Sequence, residues 1–426
     1  GSSVTVTGTP LRIIVQLLDE AGSPMPFPEG TTVNLSMNPA LGAFDSVWDG
    51  AYDGSMNSLA LPAGEVLTAF YYLSNSAGEV TISVTADGME GAELTVRVLE
   101  DVPSSAGEVA IYTGALSWID QASAEAQAQI CIDALDSLGI PVTWFRSPAE
   151  DLDLADWVAS ATDNGQLDVL ILYGFVPESI YPSGNALPDG SLAEMFIESN
   201  DGDAIMNHAD YMFYVSTANN GEGGLQNIMD VSGITMWGDN TPMTVTYEGS
   251  KIAPSLSDFL TDRPLHLGEL TGEWFVEVPL ALDETGTLSD PCIVRDGNRG
   301  RLIPVFQTAS QDDPKGAVAA EIIAWLMPTQ VGEVRFQRGD ANADGTTNLA
   351  DAIFTLAYLF GGGRSPTCMD AADANDDGAI NLADAIATLG YLFGGQGDLP
   401  APFGVCGTDP TPDPLDCESF PPCALR

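Results

Sequence analysis

Over residues 1 to about 100, apolar and polar positions alternate in short runs: LRIIVQLLD, TTVNLSM, LTAFYYLS, EVTISVTA and AELTVRVLE. Turn-forming stretches such as EAGSP and PEGT punctuate them. Alternation with period two turns one side of each strand to a core, and short strands at this spacing predict a β-sandwich. EDVPSSAGE follows and predicts a linker at 101–107. Beyond it the pattern changes to alternating strands and helices. EVAIYTG, VTWF, DVLILYG and AIMNH read as strands, and SAEAQAQICIDALDSLG, AEDLDLADWVASATDNG and SLAEMFIES as helices. MTVTYEG, EWFVEVPLAL, a hairpin around DGNRG and a closing helix KGAVAAEIIAWLM complete a segment at 108–330. That order predicts a parallel, doubly wound α/β domain.

The last part, 331–426, is organised around a repeat. DANADGTTNLAD at 340–351 returns 33 residues later as DANDDGAINLAD at 373–384, and 338–363 matches 371–396 at 18 of 26 positions. Ca²⁺ takes six to eight oxygen ligands, and a tight loop supplies them from alternate positions. In the first copy these are Asp340, Asn342 and Asp344, the carbonyl of Thr346, Asn348 and the closing Asp351, with Gly345 at the sharp turn. In the second they are Asp373, Asn375, Asp377, Ala379, Asn381 and Asp384, with Gly378 at the turn. The spacing predicts two bound Ca²⁺ ions. Each loop leads into an apolar helix, LADAIFTLAYLFGG or LADAIATLGYLFGG, whose one charged residue is Asp351 or Asp384. Leu349, Ile353, Leu356 and Phe360 recur at helical spacing. A module of this size buries one such face per helix, so the remainder is expected to lie exposed and to suit a partner.

Composition sharpens this. Against 61 acidic residues stand 13 basic ones, for a formal charge of −48. Such a balance repels nucleic-acid phosphates and anionic membranes and suits divalent cations. No run reaches the roughly 18 apolar residues of a membrane span. The opening GSSVTVTG has neither Met nor a charged, apolar leader, as in either a recombinant product or a mature one whose signal peptide has been removed. Cys368, Cys406, Cys417 and Cys423 crowd a tail rich in Pro and Asp, which predicts two disulfides and an oxidising, extracellular setting; three pairings are open. Cys131 falls in a predicted helix and Cys292 before a strand, either as buried thiols or as a disulfide between the two.

Three resemblances add to this. DEAGSPMPFPEGTTVNLS, AGEVTISVTADG and AELTVRV are similar to bacterial Ig-like domains of the invasin type, which imply a spacer or adhesive unit. The strand ending in AIMNH, with GRLIPVFQTASQDDPKGAVAAEIIAWLM, resembles the class I glutamine amidotransferase-like fold, its ThuA-like branch in particular. That family's catalytic members place a Cys on a Gly-flanked turn, and neither G-x-C-x-G nor G-x-S-x-G occurs here. His208, with Asn207 and Asp210 beside it, is the candidate ligand position at a strand end, and His266 reads as a loop residue. The repeat, with Asp where an EF-hand has Glu at position 12, resembles a type I dockerin. The resemblance implies a partner surface at Leu349, Ala350, Leu356 and Ala357 and again at Leu382, Ala383, Leu389 and Gly390. It also implies a cohesin-like β-sandwich as partner. Another copy of this chain is the second candidate, joined head to tail in a filament or surface layer. The reading is an extracellular, non-catalytic assembly protein; its rival is a secreted hydrolase with the α/β domain catalytic and the repeat as its tether.

Overall fold

The structure, a computed structural model, describes residues 2–101, 104–116, 119–185, 190–208, 222–308, 310, 313–327, 335–395, 397–407, 409, 411, 415, 417 and 420–423. The chain forms two compact units, Gly1–Pro328 and Thr329–Arg426.

The first unit opens with two facing sheets. One orders its strands Ser2–Val6, Ala92–Leu99, Gly78–Thr85, Thr32–Asn38 and Ser58–Ala60, and the other Pro24–Met25, Leu11–Leu18, Leu67–Leu73 and Ala43–Asp45. Residues two apart fill the space between them: Leu11 and Ile13, Val33 and Leu35, Phe70 and Tyr72, Val80 and Ile82, Val96 and Val98. This is the period of a strand with one face buried. Ser2–Val6 escaped the pattern because it is short, and it runs parallel to Ala92–Leu99.

A mixed sheet follows. Its strands are β1 (Ser105–Tyr112), β2 (Val142–Phe145), β3 (Gln166–Tyr173), β4 (Ala204–His208), β5 (Trp274–Pro279), β6 (Cys292–Asp296) and β7 (Arg301–Pro304). Their order is β2-β1-β3-β4-β7-β6-β5. The five from β2 to β7 are parallel, whereas β6 and β5 are antiparallel additions, so the sheet is not parallel throughout. The tight DGNRG hairpin causes this, since it returns the chain beside β7 in the opposite sense. Thr241–Val245 joins a separate small sheet. Helices α1 (Gln121–Ser137) and α4 (Lys315–Leu326) cover one face, and α2 (Asp151–Ala161) and α3 (Leu192–Ile197) the other. Asp120 caps α1 by accepting from the Ser123 amide, and Gly139 ends it at φ +73°. β1 begins at Ser105, inside the 101–107 stretch read as a linker.

The sandwich and the central sheet share side chains. Tyr71 donates to Glu248, Tyr247 to Asp49 at 3.0 Å, and Arg295 to Asp101 at 2.8 Å, while Arg97 pairs with Glu273. A cleft of about 780 Å³ lies between them. Beneath it, buried Glu277 takes Arg301 through Nε at 2.6 Å and Nη2 at 3.0 Å, with Arg295 Nη1 at 3.7 Å. Removing one partner of a buried pair strands the other charge and costs about 3–5 kcal/mol. Glu277→Ala is expected to destabilise this unit by that order, read as a lower urea midpoint, and Glu277→Gln by less.

Candidate functional site

The second unit is built from α5 (Leu349–Phe360) and α6 (Leu382–Phe393), a short helix Met369–Ala372, and the tail. Its small core gathers Phe336, Cys368, Ala371, Cys417, Phe420 and Cys423. The four tail cysteines pair as Cys368–Cys417 and Cys406–Cys423, which chooses among the three open connectivities. Cys368, Cys417 and Asp370 lie close enough to suggest a metal site, but both sulfurs are spent in the disulfide.

The two loops repeat one another in bonding as well as in sequence. Asp340 accepts the amides of Asp344 at 3.0 Å and Gly345 at 2.8 Å; Asp373 accepts those of Asp377 at 3.3 Å and Gly378 at 2.9 Å. Asp351 accepts from Asn342 and Asn348, as Asp384 does from Asn375 and Asn381. Ala343 and Gly345 adopt left-handed φ of +55° and +91°, and Asp376 and Gly378 of +61° and +77°. An alanine and an aspartate each hold a conformation that L-residues avoid, so both loops are bent to the same template. Asn348 and Asn381 cap α5 and α6 in capping boxes closed by Asp351 and Asp384. The closing carboxylates thus belong to loop and helix at once. The shorter Asp side chain works because the helix starts beside the loop.

Electrically the loops are unbalanced. Asp340, Asp351, Asp373 and Asp384 are buried, and among the described residues none of them forms an ion pair, nor do Asp344 and Asp377. Burial pushes the carboxyls of Asp351 and Asp384 up to about 6, and raises Asp340 as well; the Thr346 hydroxyl holds exposed Asp344 below its ordinary value. Asn375 Oδ1 is buried with no hydrogen-bond partner. Its amide nitrogen donates to Asp377 at 2.8 Å, so the oxygen is the end left over. The carbonyls at the seventh positions, Thr346 O and Ala379 O, accept the Asn348 and Asn381 amides at 3.1 and 3.0 Å. Buried carboxylates without countercharge and an orphaned amide oxygen are what a hard cation's ligand set looks like from the protein side, and the residues present fit Ca²⁺.

The helices bury their small side and expose their large one. Asp351, Ala352 and Thr355 face inward, as do Asp384, Ala385 and Thr388. Leu349 and Leu382 are 47% and 50% exposed, Ile353 and Ile386 both 56%, and Phe360 and Phe393 both 72%. Of the partner positions implied by resemblance, Ala350 is exposed, and Ala383, Leu356, Ala357, Leu389 and Gly390 are half-buried. Ile353, Phe360, Ile386 and Phe393, outside that set, carry most of the bulk.

His208 is placed differently from these. It is buried at the end of β4, with Nδ1 3.1 Å from the Val305 carbonyl and 2.9 Å from that of Phe306, and the Tyr173 ring edge-on. Burial, with Lys315 near, pushes it down to about 3. Among the described residues, Asn207 Oδ1, Gln307 Oε1, Asp290 Oδ1 and the Tyr173 hydroxyl are buried and unpartnered. Asp210 lies outside the described residues. His266, read as a loop residue, instead ends the short strand Leu265–His266, paired with Leu288, and its half-buried ring places Nε2 2.6 Å from the Trp237 carbonyl. Cys131 and Cys292 are free thiols, not a disulfide: Cys131 packs in the core on one face of the central sheet and Cys292 in the core on the other.

No family model and no curated protein matches the chain. Among solved structures, it is similar to a putative ThuA-like protein from Bacteroides uniformis at 12% identity and TM-score 0.32, over 53% of this chain and 93% of that one. Domains 1–6 of the surface layer protein SbsC match at 15% identity and TM-score 0.18, over 25% of this chain and 12% of that one. The D0–D1 domain of intimin matches at 12% and 0.18, over 26% and 55%. This chain thus spans about an eighth of the SbsC structure and about half of the intimin one. At TM-scores below 0.5 these likenesses assign neither activity nor partner.

The raised carboxyls fix a pH dependence. A group whose folded value lies above its unfolded one stabilises fully below the unfolded value and loses that contribution as pH rises through the folded value. For Asp351 and Asp384 the window runs from about 4, the ordinary carboxyl value, to about 6. Differential scanning calorimetry in EDTA is expected to show the C-terminal transition at lower temperature at pH 7.5 than at pH 4.5.

Proposed function

We propose that this chain is an extracellular, non-catalytic structural protein whose C-terminal unit binds two Ca²⁺ ions and, once loaded, docks a protein partner. The observation that carries this reading is the pair of loops with matching bonds, six carboxylates free of ion pairs among the described residues and an orphaned amide oxygen in the second. A bound ion supplies the missing positive charge. It holds Asp351 and Asp384 against the loops, and through their capping boxes sets the start and direction of α5 and α6. The exposed faces headed by Leu349, Ile353 and Phe360, and by Leu382, Ile386 and Phe393, are then held in fixed positions. They carry no exposed charge, so a partner recognises them by shape and apolar burial. A β-sandwich of cohesin type fits that description, and so does another copy of this chain, whose own sandwich would close a head-to-tail filament or surface layer. Two disulfides support an extracellular location.

Calorimetric titration of the EDTA-treated chain is expected to register two ions per chain at pH 7.5, and one in Asp340→Asn. Affinity is expected to fall about tenfold per site between pH 7 and pH 5 as protons compete for the closing carboxyls. Light scattering and electron microscopy decide the partner. Growth with Ca²⁺, reversed by EDTA and abolished in the double variant Phe360→Ser, Phe393→Ser, supports self-assembly. A chain that binds two ions and stays monomeric docks a different protein, and one that takes up no Ca²⁺ ends the reading.

A second reading, a secreted hydrolase tethered by the C-terminal unit, is favoured by one observation: the unpartnered oxygens of Asn207, Gln307, Asp290 and Tyr173 around the C-terminal ends of β3, β4 and β7. Ligands bind at strand C-termini in α/β sheets. Its test is a panel of glycoside and amide substrates; turnover by the wild type that His208→Ala loses supports it, and no turnover with any substrate removes it.

A further inference from the structure

The two loops obey an approximate twofold, and one residue breaks it. The first repeat has Arg338 and Gly339 where the second has Ala371 and Ala372. These positions meet: the Gly339 amide donates to the Ala371 carbonyl at 2.8 Å. Gly339 has φ +88°, and a Cβ there would lie 2.5 Å from Leu399, so the close approach requires glycine.

Arg338 is completely buried, a rare state for a guanidinium, and among the described residues its hydrogen-bond and ion-pair partners lie outside its own loop. Nη1 donates to the carbonyl of Asp373, the first residue of loop two, at 2.8 Å and to that of Asp370, in the short helix before it, at 3.3 Å. Nη2 pairs with Asp376 Oδ1 at 2.9 Å, at the left-handed turn of loop two, and with Asp409 Oδ1 at 2.9 Å in the tail. Nε donates to the Ala401 carbonyl at 3.0 Å, and the Arg338 backbone amide to the Pro402 carbonyl at 2.7 Å. Two residues along the chain from this guanidinium, Asp340 opens loop one. The tail it holds also reaches both loops: Thr411 donates to Asp376 Oδ2 at 2.9 Å, and Pro422, beside the Cys406–Cys423 disulfide, lies 3.6 Å from where a Gly345 side chain would begin.

We propose that Arg338 is a positioning residue that couples the two cation loops, so that filling one raises the affinity of the other. This rests on the Ca²⁺ reading above and adds to it a reciprocal coupling between the two sites. An ion in loop two fixes Asp373 and the turn at Asp376. The fork of Arg338 hydrogen-bonds the Asp373 carbonyl and forms an ion pair with Asp376, so its backbone, and Asp340 with it, is held in place before the second ion arrives. The fork carries this because a planar guanidinium can bond five acceptors in fixed directions, which an ammonium cannot.

A thermodynamic cycle tests it, by calorimetric Ca²⁺ titration of the full chain. Asp377→Asn disables loop two and leaves loop one to be measured alone; Asp344→Asn does the converse. Both residues are exposed, so neither change disturbs the core. In the wild type, the product of the two binding constants is expected to exceed the product of those measured singly by about tenfold, within the usual range of coupling between sites. In the Arg338→Lys background the ratio is expected to fall to about one. Asp376→Asn, which removes one carboxylate and leaves the buried arginine otherwise bonded, is expected to reduce it partway. It decides the matter if Arg338→Lys lacks the wild-type far-UV circular dichroism in saturating Ca²⁺. A wild-type ratio of about one, or a tenfold ratio that persists in both variants while two ions still bind, overturns the coupling and leaves the Ca²⁺ reading standing. A wild type that binds no Ca²⁺ overturns that reading, and the coupling with it.

Discussion

A charge taken out of water must find an opposite charge or a dense set of hydrogen bonds, and in a chain with 61 acidic and 13 basic residues that condition is hard to meet. The molecule meets it in two ways. In the first unit, buried Glu277 lies against Arg295 and Arg301, and Asp101 completes the group from the end of the sandwich, whereas buried Asp290 is met by the Thr261 hydroxyl and the Gln307 amide in place of a countercharge. In the second unit, the buried guanidinium of Arg338 serves the backbone of loop two and the tail, and among the described residues the six loop carboxylates named above meet no cation of protein origin. The first arrangement is closed by the chain itself. The second is not closed in this way among the described residues, and the Ca²⁺ proposed above would supply the missing charge.

This division explains why the sequence was readable where it was. Strands of the sandwich such as Thr32–Asn38, with Val33 and Leu35 inward, announce themselves because one face is wet and one dry. VTWF and AIMNH were legible for a different reason, as apolar runs bounded by turns and helices. That the two loops share one conformation was legible because the duplicated sequence places the same residue types at the same offsets, and both copies make the same hydrogen bonds. The exposed helix faces also followed from the apolar spacing, although the burial of Ala352 and Thr355 in place of Leu349 and Ile353 did not. Small residues let the helices and loops approach closely, and a hydrophobicity pattern weights size in the wrong direction there.

Contacts between distant segments were not legible. Nothing local says that Cys368 meets Cys417, that Cys131 and Cys292 face opposite sides of one sheet, or that Tyr71 reaches Glu248. Arg338 belongs to the same class, since its partners lie 32 to 71 residues away. One signal did exist. Duplicated sequences drift freely where nothing constrains them, and Arg338 is a charged residue paired with an alanine at a position its repeat mate buries completely.

The pairing of the first strand carries a mechanical meaning. Ser2–Val6 runs parallel to Ala92–Leu99 with a continuous register from Ser2 opposite Thr95 to Val6 opposite Leu99. Tension between the chain's start and the segment leaving Leu99 pulls the two strands along their length in opposite directions. Every hydrogen bond of that ladder is then loaded together, in shear, and none can be unzipped ahead of its neighbours. A module fastened this way resists stretching far better than its modest five-residue strand would suggest, provided the pull enters at its amino end.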